Sequence, residues 1–310
     1  MSAPDATTGA SPDGAGGGVL AFLNEVAGGR KLLEATRERV AAGAEEVAVV
    51  APQNQPLAGQ IVDRDEVRDA ALSRVEVTQA VLREFGTESV GAVMDADPAL
   101  ALDDAIRAFT PREVLLSCLY DTRFGLTRKD LVEWAKQRFE VPITHIPVRI
   151  EDDAIRWDVT HTLVVATRTV ASGDLIAHLK RKVAERPHRY TIISPPSGQI
   201  TREEVCERLA RTLAELYRSD IDATGQPMSP APLAAVRNAI EHYRVDEILI
   251  STLAGERSKW LEEGLIDDVR GFTDKPVEHV ESGEAAEPAA PTPAVATSPV
   301  GAGPSSEEGD

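Results

Sequence analysis

Short apolar runs alternate along this chain with longer stretches in which apolar residues recur every third or fourth position. That rhythm predicts strands alternating with amphipathic helices. Val19–Asn24 is the first apolar run, Gly28-Gly29 opens a helix through about Val40, and Val47–Ala51 is a second strand closed by Pro52. Asp63-x-x-Glu66 has the form of a capping box and starts a helix reaching Gly86, with Val67, Ala71, Val75, Leu82 and Phe85 on its apolar face. A weak strand covers Ser89–Met94. Asp97-Pro98 then joins an N-cap to a first-turn proline, ahead of Leu102, Ala105, Ile106 and Phe109 at helical spacing. Val114–Leu119 is the most apolar run, a helix is expected around Lys129–Phe139, and Ile143–Val148 closes the series.

The same order then returns. Strands are expected near Leu163–Thr167, Tyr190–Ser194, Ala223–Met228, Glu247–Thr252 and Val277–Val280. Helices are marked by Leu175, Leu179 and Val183, by the capping box Thr201-x-x-Glu204, and by Val236, Ala239, Ile240 and Tyr243. The return is literal over residues 91–145 and 225–279. At a constant spacing of 134 residues, 14 of 55 positions are identical, among them Gly91/Gly225, Pro98/Pro232, Glu113/Glu247, Ser117/Ser251, Arg123/Arg257, Pro142/Pro276 and His145/His279. A period that long is a whole domain copied, not a solenoid unit. Earlier in the copies the offset is 143 (Pro52/Pro195), which places extra residues in the first copy, in the loop Gln53–Val62.

Each copy reads β-α-β-α-β-α-β-α-β, the pattern of a parallel sheet with helices on both faces. The expected organisation is a tail over 1–16, a first domain over 17–150, a second over 160–282 and an acidic Pro/Ala-rich tail over 283–310. Neither tail has an apolar period, so both are expected to be disordered. The charged segment Glu151–Val159 marks the boundary.

Five strands and four helices in about 130 residues, with Val114-Leu-Leu-Ser117, Ile248-Leu-Ile-Ser-Thr252, Arg257-Ser258-Lys-Trp260-Leu261, Pro142-x-x-His145 and Pro276-x-x-His279, resemble the universal stress protein domain. The likeness covers about 18–148 and 161–281 and is nearest to actinobacterial tandem or permease-linked versions. The resemblance implies a Rossmann-like sheet of order 3-2-1-4-5 in each domain and pairing of domains through the fifth strands, here Ile143–Val148 and Val277–Val280. Some members bind ATP through G-x-x-G, nine residues, then G-S/T after the fourth strand. Neither Tyr120–Lys129 nor Ala254–Trp260 carries that spacing, and the Asp that such members place after strand one is Asn24 or Thr167 here.

A sheet of that order takes ligands outside the C-terminal ends of strands one and four. The candidate binding residues are therefore Asn24, Gly28, Gly29, Arg30, Ser117 and Arg123 in the first copy. In the second they are Thr167, Ser172, Gly173, Ser251, Thr252, Arg257 and Ser258. Gly28-Gly29-Arg30 at a helix start suits an anion or, more simply, a tight strand-to-helix turn. Arg123 and Arg257 suit a phosphate or carboxylate, or an ion pair at the domain seam. His145 and His279 lack convergent ligands for a metal and read as structural, and Trp134 and Trp260 read as core or interface residues.

Composition narrows the function further. The net charge is −18; eight acids in 1–16 and 281–310 account for part of it and leave −10 on the body. Nucleic acid and anionic membrane both call for a basic footprint, so neither is an expected partner. Two cysteines, Cys118 and Cys206, make no disulfide framework, and no run of 18 apolar residues spans a membrane; a cytoplasmic location is expected. No phosphate loop, G-x-G-x-x-G turn or G-x-S-x-G elbow is present, and no catalytic residue is assigned. The expectation is a non-enzymatic protein with a stress-associated or regulatory binding role, without metal or obligatory cofactor, its two domains paired within the chain and a homodimer left open. The alternative is a weak adenine-nucleotide module, for ATP or AMP, at the strand 1/strand 4 cleft.

Overall fold

The computed structural model describes residues 17–24, 29–53, 64–118, 123–124, 129–147, 159–195, 200–228, 231–243, 245–254 and 264–283. Within them the chain forms two α/β modules. Module one holds β1 (Val19–Leu23), α1 (Arg30–Ala41), β2 (Val47–Pro52), α2 (Arg64–Glu84), β3 (Val90–Met94), α3 (Pro98–Phe109), β4 (Glu113–Cys118), β5 (Arg123–Phe124), β6 (Lys129–Asp130), α4 (Leu131–Arg138) and β7 (Ile143–Pro147). Module two holds β8 (Thr160–Val165), α5 (Gly173–Glu185), β9 (His188–Ser194), α6 (Arg202–Tyr217), β10 (Ala223–Pro227), α7 (Pro232–His242), β11 (Glu247–Leu253), α8 (Leu265–Phe272) and β12 (Val277–Ser282). The sheets run β3-β2-β1-β4-β7 and β10-β9-β8-β11-β12, parallel throughout, which is order 3-2-1-4-5 twice.

Strand alternation divides each module into two cores. Leu20, Phe22, Val114 and Leu116 face α3 and α4, whereas Val19, Ala21, Leu23 and Leu115 face α1 and α2. In module two Leu163, Val165, Ile248 and Ile250 pack with α7 and α8, and Val164, Ile192 and Leu249 pack with α5 and α6.

Most of the repeated residues have the same structural task in both copies. Gly91 and Gly225 let the second helix lie directly on the third strand. A Cβ on Gly91 would fall 2.6 Å from Val75 Cγ1, and one on Gly225 3.3 Å from Leu209 Cδ2. Pro98 and Pro232 begin the third helix. The carbonyls of Pro142 and Pro276 accept from the amides of Val114 and Ile248, 2.9 Å each. His145 Nε2 meets the Cys118 carbonyl at 3.0 Å, and His279 Nε2 meets Thr252 Oγ1 at 2.8 Å, so each histidine ties the fifth strand to the end of the fourth.

Two expectations are corrected. Lys129-Asp130 is not helical: it pairs antiparallel with Arg123-Phe124, and the helix starts at Leu131, where Asp130 caps it by accepting from the Glu133 amide at 2.9 Å. Among the described residues, the modules also do not pair through their fifth strands: the ladder partners of β7 and β12 are β4 and β11. They meet through α2 and α6, whose buried residues Val77, Ala80, Val81, Cys206, Ala210 and Tyr217 belong to one cluster spanning both modules. The rim of this seam is polar. Arg202 pairs with Asp69 and Glu76 at 3.2 Å each, Arg218 with Glu84 at 3.7 Å, and Arg30 with Asp220 at 3.0 Å and Asp222 at 3.2 Å. Phe85 lies between the guanidinium groups of Arg37 and Arg218, 5.1 and 4.9 Å from its ring centre.

Asp63, the boundary segment Glu151–Asp158, and the stretches 1–16 and 284–310 lie outside the described residues.

Candidate functional site

At the C-terminal rim of module one, Asn24 and Ser117 come together as the strand order requires. The Asn24 amide donates to the Ser117 carbonyl at 3.0 Å, and both residues are buried. Gly29 is the N-cap of α1 and makes no side-chain cap bond. Arg30 does not turn into this rim. Its guanidinium is held at the module seam by Asp220 and Asp222, and those carboxylates, with Glu34, outweigh burial and raise its pKa. Gly28 lies outside the described residues, and Arg123 is placed only by its backbone in β5.

Module two is more fully described at the same place. Thr167 Oγ1 donates to the Pro195 carbonyl at 2.8 Å, bridging from the end of β8 to the end of β9. Ser172 caps α5, accepting from the Leu175 amide at 3.2 Å, and Gly173 opens that helix. Ser251 Oγ donates to Ser282 Oγ at 3.1 Å. Thr252 meets His279, as above. Arg257 and Ser258 lie outside the described residues. The sequence placed Thr167 at the end of the first strand; it stands instead in the turn beyond, since β8 ends at Val165.

A polar cluster of several linked ion pairs lies at the opposite end of the sheet. Glu247, the first residue of β11, is bound by Lys182 at 2.8 Å, Arg186 at 3.0 Å and Thr162 Oγ1 at 2.8 Å. Lys182 also pairs with Glu278 at 2.7 Å, and His178 with Glu278 at 2.9 Å. Burial is the largest influence on Glu247 and Lys182 and opposes their charge, but their bond to each other together with Thr162 on Glu247 and Glu278 on Lys182 outweighs it, so Glu247 titrates low and Lys182 high. His188 Nδ1 lies 3.0 Å from Thr162 Oγ1, and burial lowers its pKa. In module one Arg39 holds Glu113 with contacts of 2.9 and 3.1 Å, helped by Thr144 at 2.7 Å and by the charge of Arg112. The Glu113/Glu247 identity was the signal for this cluster. Its partners were less visible, because Arg39 and Lys182 match only at the 143 offset.

The thiols offer no nucleophile. Cys118 is buried in the core, and burial first, then Glu76 at 3.6 Å, pushes Cys206 up to about 12. Among the described residues, no three His, Cys, Asp or Glu side chains gather to hold a metal ion, and no helix is long and apolar enough to cross a membrane.

No family model and no curated protein matches this chain. Among solved structures, it is similar to a universal stress protein from Archaeoglobus fulgidus DSM 4304, at 16% identity and TM-score 0.33, over 85% of this chain and 96% of that one. It is also similar to a protein from Pseudomonas aeruginosa UCBPP-PA14 assigned by likeness to the universal stress proteins, at 14% identity and TM-score 0.29, over 86% and 94% of the two chains. The architecture itself is read from the order of the two sheets.

Proposed function

We propose that this chain is a tandem universal-stress-protein-like protein of the actinobacterial type, a pseudo-dimer in one polypeptide with a regulatory binding role and no catalysis. The observation that carries this reading is how the polar groups at the C-terminal rim of module two are used. The hydroxyls of Thr167, Ser172, Ser251 and Thr252 are each taken by a carbonyl, an amide, a serine or a histidine of the frame. A nucleophile needs a base within reach and a third group to orient that base. His279 touches Thr252, but both lie in the β11–β12 ladder, where the histidine does the same tying work as His145.

The alternative, adenine-nucleotide binding at the strand 1/strand 4 cleft, draws on the resemblance and on Asn24, Ser117 and Arg123 in module one, with Arg257 and Ser258 in module two. Without the glycine spacing few backbone donors converge on a triphosphate, so the expected dissociation constant for ATP is about 0.1 mM or weaker. Calorimetric titration with ATP, ADP, AMP and cyclic nucleotides tests both readings. Weak or absent heat, together with no nucleotide turnover, supports the non-enzymatic reading. Sub-micromolar ATP binding or steady hydrolysis overturns it.

A further inference from the structure

The turn after β8 occupies the place where a sheet of this order opens to a ligand. β8 and β11 are neighbours at the centre of the second sheet, and a crevice is expected beyond their C-terminal ends. Here the chain itself enters it. Val170 is fully buried and belongs to the same core cluster as Leu175 and Leu249, and Thr169 is 1% exposed. Thr169 Oγ1 donates to the Ser251 carbonyl on β11 at 3.3 Å, while Thr167 Oγ1 donates to the Pro195 carbonyl beyond β9 at 2.8 Å. The turn therefore straddles three strand ends and is fastened on both sides. It is also closed within itself, by Val170 N–H to the Thr167 carbonyl at 3.3 Å and Ser172 N–H to the Thr169 carbonyl at 2.9 Å. Ala171 adopts a left-handed φ of 66°, a conformation that a residue with a Cβ holds only when its surroundings fix it.

Module one has a different sequence at these positions. At the 143 offset Thr167, Thr169, Val170, Ala171 and Ser172 correspond to Asn24, Val26, Ala27, Gly28 and Gly29. All three hydroxyls are gone, the buried valine becomes alanine, and the left-handed alanine becomes glycine.

We propose that Thr167–Ser172 is a built-in plug that seals the crevice of module two with Thr169 and Val170, so that a nucleotide-sized ligand has no place there and the binding role falls to module one. The plug rests on the proposed binding role only for the last clause; the seal itself is a property of module two with or without a ligand.

Thiol labelling tests it without any ligand. In a Cys118→Ser, Cys206→Ser background, Ser251→Cys places a thiol on the buried residue whose carbonyl Thr169 holds. Its labelling by a small disulfide reagent in native buffer is expected to be slow, and at least about tenfold faster when Thr169→Gly and Val170→Gly are added, because access then no longer awaits local opening. Val170→Ala, milder to the fold, is expected to give an intermediate rate. Equal rates in all three proteins would overturn the plug. Should the double glycine variant fail to fold, hydrogen exchange in the wild type decides: slow exchange at the Val170 and Ser172 amides supports the seal, and exchange as fast as at an open loop contradicts it. Failure here leaves the titrations of the proposed function untouched, and their failure leaves the labelling result standing.

Discussion

Glu113 of module one and Glu247 of module two stand at the same place, the first residue of the fourth strand, and each is held by a cation from the first helix of its own module. Arg39 grips Glu113 with two nitrogens; Lys182 grips Glu247 with one, and Arg186, Thr162 and Glu278 enlarge the cluster around it. The tie is kept while its members drift. At the other end of the sheets the comparison inverts: the turn after the first strand carries three hydroxyls in module two and none at the matching positions of module one. What the copies share thus marks the frame, and the turn after the first strand is where their sequences part.

The strongest way to break the pairing of these frames is at their common core. Ala210 is 1% exposed in the cluster joining α2 and α6, so Ala210→Glu should cost about 3 kcal/mol or more, since a carboxylate there has to be buried or the helices part. Chemical denaturation measures it; a loss under about 1 kcal/mol would mean that the seam tolerates separation.

A smaller effect separates the two glycines. Ala at position 91 meets Gln79 Oε1 at 2.5 Å and the branched Val75 at 2.6 Å, whereas at 225 the nearest atoms are at 3.2 and 3.3 Å. Gly91→Ala should therefore cost about 1–3 kcal/mol by overpacking. Gly225→Ala should be near neutral, because the reduced freedom of the unfolded chain offsets a mild squeeze of about the same size. Equal melting shifts would show that the copies pack alike.

Acid should distinguish the modules next. Glu113 is depressed by Arg39 and Glu247 by Lys182, so both contribute stability above the unfolded carboxylate pKa, about 4.3, that is lost as pH falls through their lower folded values. His188 is depressed by burial, so the unfolded chain takes its proton first and stability is also lost below about pH 6.5, in module two alone. Hydrogen exchange against pH should show module two loosening first, and His188→Gln should remove the part between the histidine and carboxylate ranges. Simultaneous loosening in the parent would contradict this difference.

The smallest effect expected is at Arg30. Asp220 is 89% exposed, so losing this pair should cost about 0–1 kcal/mol in Arg30→Ala, with no change in any nucleotide titration, because the guanidinium faces the seam. A loss of nucleotide binding would return Arg30 to the cleft.

Much of the frame was legible in the sequence. Pro98/Pro232, Gly91/Gly225 and Glu113/Glu247 appeared as bare identities, and each has one physical task. The seam was not foreseen, although its signal was present. In α6, Val205, Cys206, Leu209, Ala210, Leu213, Leu216 and Tyr217 spread over an arc of about 140°, and Ala214 widens it to about half of the helix circumference, broader than a single core-facing stripe needs. Reading one apolar face per helix hid it. The rim residues were harder, because a threonine that binds a ligand and one that clasps a carbonyl are the same letter; only the partners of Thr167 and Thr169 tell them apart.

The pairing of the modules through α2 and α6 is tested most directly by cross-linking. Arg202 and Asp69 meet across the seam at 3.2 Å with side chains 28% and 70% exposed, so Asp69→Cys with Arg202→Cys in a chain lacking both native cysteines sets two accessible thiols across it. A short bis-maleimide should join residues 69 and 202 within one chain, as mapped by mass spectrometry. The control, His145→Cys with His279→Cys in a chain lacking both native cysteines, should give no such product. Linkage at 145–279 with none at 69–202 would contradict the helix seam and restore the fifth-strand pairing.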